Sequence, residues 1–212
     1  FFEHFYRVPR SRYFTFGQCL KDLNKRKEPV IIELGTMRSF VDGQYKGCNT
    51  SNEKYWEPNN PKKWDWSAGC FTKLFSESLP KSKIFTVDKV EEHLNRCKIM
   101  NKNNRNIIYQ HASSEDFLKS FRGKVDLIYI DTGNMFPVED AAKLHLREAK
   151  IIVKKDLVKK GGLILIDDVM NPIPQQKGEK SDNGIAKYSI PYFLDNGYEL
   201  LIKQYQVIMR KL

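Results

Sequence analysis

Short apolar runs alternate with amphipathic segments along most of the chain. Five of these runs are continuous rather than alternating in polarity, which is typical of parallel strands covered on both faces. They span residues 30–34, 83–88, 106–110, 125–131 and 161–168. Two later runs, 198–202 and 205–209, predict an antiparallel pair joined by a tight turn at Lys203 and Gln204.

Apolar residues recur at helical spacing between the strands. The segments that predict helices are 68–79, 90–101, 114–121 and 138–158. This alternation predicts an α/β fold, namely a mostly parallel seven-stranded sheet with helices on both faces and a C-terminal antiparallel hairpin. We expect one domain over residues 30–212, preceded by a helical or extended lead-in at 1–29. An aromatic-rich stretch at 41–66 interrupts the domain, and we expect it either to cover a substrate or to fill a small core of its own.

Composition and charge narrow the class of protein. The chain has 212 residues, 41% hydrophobic and 29% charged, which excludes a disordered protein. No apolar run approaches the roughly 20 residues that span a bilayer, so we expect no membrane partner. The four cysteines lack CxxC spacing, which favours reduced thiols and a cytoplasmic protein. The net charge is +10, but the basic residues are scattered along the sequence, which favours a solvated surface over a nucleic-acid interface. A homo-oligomer remains possible.

Candidate cofactor-binding residues follow the first three predicted strands. Glu33 and Gly35 close the first strand, and a single glycine there disfavours the GxGxxG motif of dinucleotide sites. Asp88 ends the second strand, where a carboxylate can accept both hydroxyls of a ribose, and Ser113 and Ser114 follow the third. The alternatives are a solvated strand end for Glu33 and a helix cap for Asp88. Taken in order, these residues predict a nucleotide-like cofactor at the carboxyl edge of the sheet.

Three carboxylates follow the fourth and fifth strands. Asp131 ends the fourth strand, and Asp167 and Asp168 end the fifth, so all three belong to the same edge of a parallel sheet. Carboxylates that converge repel one another unless a positive charge lies between them, which favours a hard divalent cation. The alternative is that Asp168 caps the following loop and Asp167 only orients backbone.

These motifs resemble known enzymes. An acid before a single glycine, followed by an acid after the second strand, resembles class I S-adenosylmethionine-dependent methyltransferases, which have a Rossmann-like fold. IDTGN and LILIDD resemble the metal-dependent small-molecule O-methyltransferases of the catechol and macrocin or sugar type. Several longer blocks, WDWSAGCFT among them, resemble an uncharacterised bacterial subfamily of class I methyltransferases.

The resemblance implies roles for particular residues. The methionine end of S-adenosylmethionine would contact Glu33, Gly35 and Thr36, and Ser67 and Gly69 would close over it. Asp88 would hold the ribose. Ser113 and Ser114 would lie near adenine. A magnesium or other divalent ion would be held by Asp131, Asp167 and Asp168. The position of Asn134 often carries a general base in the related enzymes, and asparagine cannot accept a proton. Either acidification of the acceptor by the metal suffices, or His111, His145 or Glu139 serves as the base. A buried or surface structural histidine is the simpler interpretation of His145.

The sequence therefore predicts metal-assisted O-methylation of a small acceptor such as a sugar, a nucleotide-sugar or a phenol. Two alternatives remain. An RNA methyltransferase would account for the basic charge, and a cofactor-binding protein without catalytic activity would account for Asn134.

Overall fold

The computed structural model describes residues 12–36, 71–133, 137–169 and 184–212. The helices in these ranges are α1 (Tyr13–Leu23), α2 (Phe71–Ser78), α3 (Glu91–Met100), α4 (Ser114–Ser120), α5 (Val138–Lys154) and α6 (Ser189–Asp195), with a short 3₁₀ turn at Gly184–Ala186. The strands are β1 (Val30–Leu34), β2 (Lys83–Asp88), β3 (Ile107–His111), β4 (Val125–Ile130), β5 (Val158–Ile166), β6 (Tyr198–Lys203) and β7 (Val207–Lys211).

The strands form one seven-stranded sheet in the order β3-β2-β1-β4-β5-β7-β6. The first five are parallel, whereas β7 runs antiparallel to both β5 and β6. The predicted fold class is confirmed, including the C-terminal hairpin. Because the order reverses at β1, the carboxyl ends of β1 and β4 flank the point where ligands bind in open α/β sheets.

Alternate side chains along each strand fill two separate cores. Ile31 on β1 and Leu127 on β4 pack on one face against α1 and α2, which contribute Phe16 and Phe71. The neighbouring residues of the same strands face the other side, where they pack with residues of α4, α5 and α6. Helix α1 lies within the predicted lead-in and covers the sheet beside α2.

The predicted helix 138–158 is wrong at its C-terminal end. Helix α5 stops at Lys154, and Val158 already belongs to β5. The helix ends in a Schellman motif, in which Asp156 has a left-handed φ of 53° and the Leu157 N–H donates to the Ile152 carbonyl at 3.0 Å. Glycine usually occupies this left-handed position, so the sequence lacks the usual stop signal.

The composition led to expectations about the cysteines and about membrane-spanning helices. Cys19 and Cys97 are buried free thiols, and Cys48 and Cys70 lie outside those ranges. None of the described helices has the length and apolar character needed to cross a bilayer. The cytoplasmic location stays a prediction.

Candidate active site

A cavity of about 460 Å³ opens at the carboxyl ends of β1, β2, β3 and β4. This volume lies within the range of small-molecule sites. Seven of the sequence-predicted site residues line it together: Gly35, Thr36, Asp88, Ser113, Ser114, Asp131 and Asp168. Glu33, Asp167 and His145 lie behind this lining, and Asn134, Ser67 and Gly69 fall outside the described residues.

Gly35 turns the chain out of β1 at the floor of the cavity. Its φ is +83°, and a Cβ added there would lie 2.1 Å from the backbone carbonyl oxygen of Asp131. No side chain fits this approach of two backbones, which explains the single glycine of the motif. The turn brings the loop after β1 against the loop after β4 and leaves backbone exposed to a ligand.

Asp88 holds the neighbouring loop in place. Its Oδ2 accepts a hydrogen bond from the Thr36 backbone N–H at 3.1 Å and lies 3.1 Å from Nδ1 of His93, and its Oδ1 accepts from the Val90 N–H at 2.8 Å. A carboxylate offers about four acceptor positions, so one remains for a ligand hydroxyl. Asp88 therefore holds the loop before α3, whose N-cap is Val90 and has no side-chain cap, and His93 is a cavity residue that the sequence analysis missed.

The two serines after β3 form the N-terminus of α4. The Ser113 side chain accepts from the Asp116 N–H at 3.1 Å and so caps the helix. The Ser114 hydroxyl donates to Glu148, and the Thr132 hydroxyl donates to both oxygens of the same carboxylate at 2.8 and 2.9 Å. Glu148 thus joins α5 to two loops of the cavity. Its burial raises its pKa from 4.5 to about 7, against the lowering effect of these hydroxyls.

Glu33 lies outside the cavity lining, on the face of the sheet that α2 covers. It is 2% exposed and accepts hydrogen bonds from the hydroxyls of Thr72 on α2 and Thr86 on β2. Burial raises its pKa to about 7, although both hydroxyls lower it. The carboxylate therefore joins β1, β2 and α2 in the described structure.

His145 is completely buried on α5. Its Nε2 lies 2.9 Å from the backbone carbonyl of Thr132, an acceptor only, so Nε2 carries the proton. Burial lowers its pKa to about 4, which keeps the ring neutral. The buried Nδ1 atom has no hydrogen-bond partner among the described residues. His145 supports the loop after β4 from below, in line with the structural alternative considered for it.

Asp167 is bound by a buried arginine. The Arg12 Nε donates to its Oδ2 at 2.6 Å, and the two side chains are 3% and 0% exposed. The Tyr129 hydroxyl donates to the same oxygen, and the Asp168 N–H donates to Oδ1 at 2.8 Å. Burial alone would lower the pKa of Arg12, but the nearby carboxylates, Asp167 foremost, hold it well above its usual value. Arg12 therefore keeps its positive charge in this buried pair.

The Arg12 guanidinium also lies near Asp168. Arg12 Nη2 lies 3.8 Å from Oδ1 of Asp168, and the guanidinium lies over the Tyr205 ring at 5.1 Å from its centroid. The Tyr205 hydroxyl donates to Asp168. Asp168 itself has a left-handed φ of 52° at the lip of the cavity, a backbone conformation that aspartate tolerates better than most residues.

Tyr129 connects this pair to Asp131. Its hydroxyl lies 3.2 Å from Oδ2 of Asp131, besides its bond to Asp167, and Gln206 Nε2 approaches the same hydroxyl at 3.4 Å. Burial, with the two aspartates, raises the pKa of Tyr129 well above its usual value, so the proton stays on the phenol. Asp131 is the half-buried end of this chain and faces the cavity.

The expected metal triad is not supported by this arrangement. The described ranges contain no group of three or more His, Cys, Asp or Glu side chains placed to hold a metal ion. Asp131 and Asp168 face the cavity, whereas both oxygens of Asp167 already accept hydrogen bonds beneath it. The residues therefore do not fit the divalent cation that the resemblance implies.

Sequence analysis missed several residues of this region, and only one left a visible pattern. Glu148 falls on the buried stripe of α5 with Ala141, His145 and Ile152, so a charged residue interrupts an apolar face. Arg12 and Asp167 are 155 positions apart in the sequence, and no local sequence pattern predicts a contact between residues so far apart.

Comparison with solved structures identifies the fold. No protein-family model and no curated protein matches the sequence. The chain is similar to the S-adenosylhomocysteine-bound methyltransferase PaMTH1 from Podospora anserina, with a TM-score of 0.60, 15% identity, and coverage of 100% of this chain and 86% of that one. It is also similar to the N-methyltransferase NodS from Bradyrhizobium japonicum in complex with S-adenosylhomocysteine (0.57, 15%, 97% and 89%) and to an rRNA methylase from Streptococcus thermophilus (0.53, 13%, 97% and 98%). These matches do not show the metal-dependent subtype. The chain therefore has the fold of class I S-adenosylmethionine-dependent methyltransferases.

Proposed function

We propose that the protein is an S-adenosylmethionine-dependent methyltransferase that methylates a hydroxyl group of a small acceptor such as a sugar, a nucleotide-sugar or a phenol. One observation carries the proposal: a single cavity brings together the Gly35 turn, the Asp88 carboxylate and the Asp131 carboxylate. Two solved proteins of this fold bind S-adenosylhomocysteine, which supports the same cofactor here.

The cofactor half of the cavity has the groups that a nucleoside requires. The remaining acceptor position of Asp88 suits a ribose hydroxyl. Ala112, Val87 and Leu144 give the cavity apolar wall beside the start of α4, which suits a purine ring. The positive φ of Gly35 lets backbone approach the methionine end.

Asp131 is the group that we propose for proton transfer. The acceptor hydroxyl gives its proton to the Asp131 carboxylate, while its oxygen forms a bond to the methyl carbon. The bond from that carbon to sulfur breaks, its electron pair stays on sulfur, and neutral S-adenosylhomocysteine leaves. The Tyr129 hydroxyl, 3.2 Å from Oδ2 of Asp131, holds this carboxylate at the edge of the cavity where the acceptor would bind. This scheme needs no metal ion, in keeping with the poor fit of Asp167 to one.

RNA is the second candidate acceptor, favoured by the net charge of +10 and the similarity to an rRNA methylase. Phosphate contacts would make such binding fall steeply with salt, whereas binding of a sugar or phenol in the cavity would depend on salt much less.

The test begins with calorimetric titration of S-adenosylhomocysteine into the full chain. Methyl transfer from labelled S-adenosylmethionine is then measured with nucleotide-sugars, phenols and total RNA, at low and moderate salt. Asp88→Ala removes the proposed ribose acceptor, and Asp195→Ala is the matched control, because Asp195 is exposed and lies outside the cavity lining.

Each outcome decides between the candidates. Saturable labelling of a small hydroxylated compound supports the proposal. Labelling of RNA alone favours the second candidate, and cofactor binding without transfer to any acceptor favours a protein without catalytic activity. Failure of the intact chain to bind S-adenosylhomocysteine would refute both enzymatic functions.

A further inference from the structure

The carboxylates after β4 and β5 already have a counter-charge from the chain itself. Arg12 precedes α1, and its guanidinium lies where a cation shared by Asp167 and Asp168 would be expected. Its Nε is 2.6 Å from Asp167, and its Nη2 is 3.8 Å from Asp168. A divalent ion at this place would meet a fixed positive charge at close range.

The lone pairs of Asp167 are also committed. Its Oδ2 accepts from Arg12 and Tyr129, and its Oδ1 accepts from the Asp168 N–H. A hard cation binds carboxylate oxygens directly at about 2.0–2.6 Å, so it would have to displace a buried ion pair. The carboxylate is 0% exposed, so such an ion would also lose its water at this oxygen.

The contacts continue from Arg12 to the cavity. Arg12 donates to Asp167, Tyr129 donates to Asp167, and the same phenol lies 3.2 Å from Asp131. The charge of Arg12 beside Asp167 also reduces the repulsion between the Asp167 and Asp131 side chains.

We propose that Arg12 is a positioning residue that takes the place of a divalent cation at this edge of the sheet, holding Asp167 and, through Tyr129, the Asp131 carboxylate. The part of the proposal that concerns Asp131 as a base rests on the proposed function. The part that concerns the cation does not, so the experiment measures cation binding without requiring a substrate.

The experiment is titration of the full chain with Mn²⁺, followed by the electron paramagnetic resonance signal of the free ion. We expect no saturable binding by the wild-type protein up to about 1 mM, the weak end of protein sites for divalent cations. The affinity for S-adenosylhomocysteine should change less than about twofold between chelator and magnesium, below the fivefold lower limit of a typical coupling between sites.

Substitution of Arg12 tests whether removing its charge creates the cation site that the wild-type protein is expected to lack. Arg12→Met removes the guanidinium beside Asp167 and Asp168, and we expect it to bind one Mn²⁺ at least tenfold more tightly than the wild type, the ratio that a difference of about 1.4 kcal/mol produces. Arg12→Lys keeps the charge and should not gain the site. Arg105→Met is the matched control, because Arg105 is exposed on the opposite side of the fold from the cavity lining.

Two results would overturn the proposal. One is a single Mn²⁺ site in the wild-type chain that magnesium displaces and Asp167→Asn removes. The other is a folded Arg12→Met protein whose Mn²⁺ binding equals that of the wild type. If Arg12→Met fails to fold, the wild-type and Arg12→Lys titrations still decide, since the proposal requires both to lack the site.

Discussion

Arg12→Met should destabilise the protein far more than an exposed arginine substitution does. The change keeps an unbranched side chain of similar length but removes the donor that lies 2.6 Å from Asp167. Asp167 is 0% exposed, so no water replaces the lost partner, and within the described ranges the carboxylate keeps the Tyr129 hydroxyl and one backbone N–H.

The magnitude follows from the burial of both charges. Two unit charges about 4 Å apart interact by about 4 kcal/mol at an effective dielectric constant near 20. Breaking a buried ion pair by removing one partner costs about 3–5 kcal/mol, because the other charge is left uncompensated. For a chain of this size that loss corresponds to a fall in Tm of roughly 6–20 °C.

A double-mutant cycle isolates this interaction from the rest of the packing. We would measure reversible urea unfolding of the wild type, Arg12→Met, Asp167→Asn and the double variant, with Arg105→Met as the exposed control. The double variant should be more stable than the sum of the single losses predicts, by about 3 kcal/mol. Additive losses, agreeing within about 0.5 kcal/mol, would show that Arg12 and Asp167 do not interact in solution and would refute the reasoning.

Three further predictions concern the cavity. Asp88→Ala should weaken S-adenosylhomocysteine binding by about 1.5–3 kcal/mol in calorimetry, the cost of a lost hydrogen bond to a charged group, and unchanged affinity would place the ribose elsewhere. Gly35→Ala should lower Tm and abolish cofactor binding, because its Cβ would lie 2.1 Å from the Asp131 carbonyl; wild-type behaviour would contradict the turn. Since burial raises the pKa of Glu148 from 4.5 to about 7, the folded state holds that proton more tightly and stability falls as pH rises between these values. By pH 8 the wild type should have lost on the order of 3 kcal/mol of unfolding free energy through Glu148, and Glu148→Gln should remove this loss. The measurement is Tm against pH, and a variant with the same pH profile as the wild type would count against a buried acid.

The architecture could be predicted from the sequence because its strands are covered on both faces. β1 and β2 were predicted with the bounds that the structure has, since each is a compact apolar run with clear ends. The end of α5 could not be found, because Asp156 adopts the left-handed conformation in which a glycine would be expected. The predicted helix therefore extended to Val158, which is the first residue of β5.

The site could be predicted only where residues follow strand ends. Gly35, Asp88 and Asp131 were found because the carboxyl ends of parallel strands meet at one edge. The sequence also predicted that a positive charge must lie between the aspartates, but it assigned that charge to a metal ion. In the described structure Arg12 lies beside Asp167, and a contact across 155 residues depends on how α1 packs, which local pattern does not encode.

The position of β7 has a consequence for the order in which the protein can form. Although β7 comes last along the sequence, it lies between β5 and β6, and the turn before it supplies Tyr205 to Asp168 and Gln206 to Tyr129. A nascent chain is made from its N-terminus, at about 5–20 residues per second, so every other strand exists before this one. Until β7 arrives, β5 is an open edge with unpaired backbone groups, the kind of surface on which chains aggregate. The acidic edge of the cavity is therefore completed only after β7 has been made, and ribosome-bound chains that lack β7 should be those that need chaperone protection.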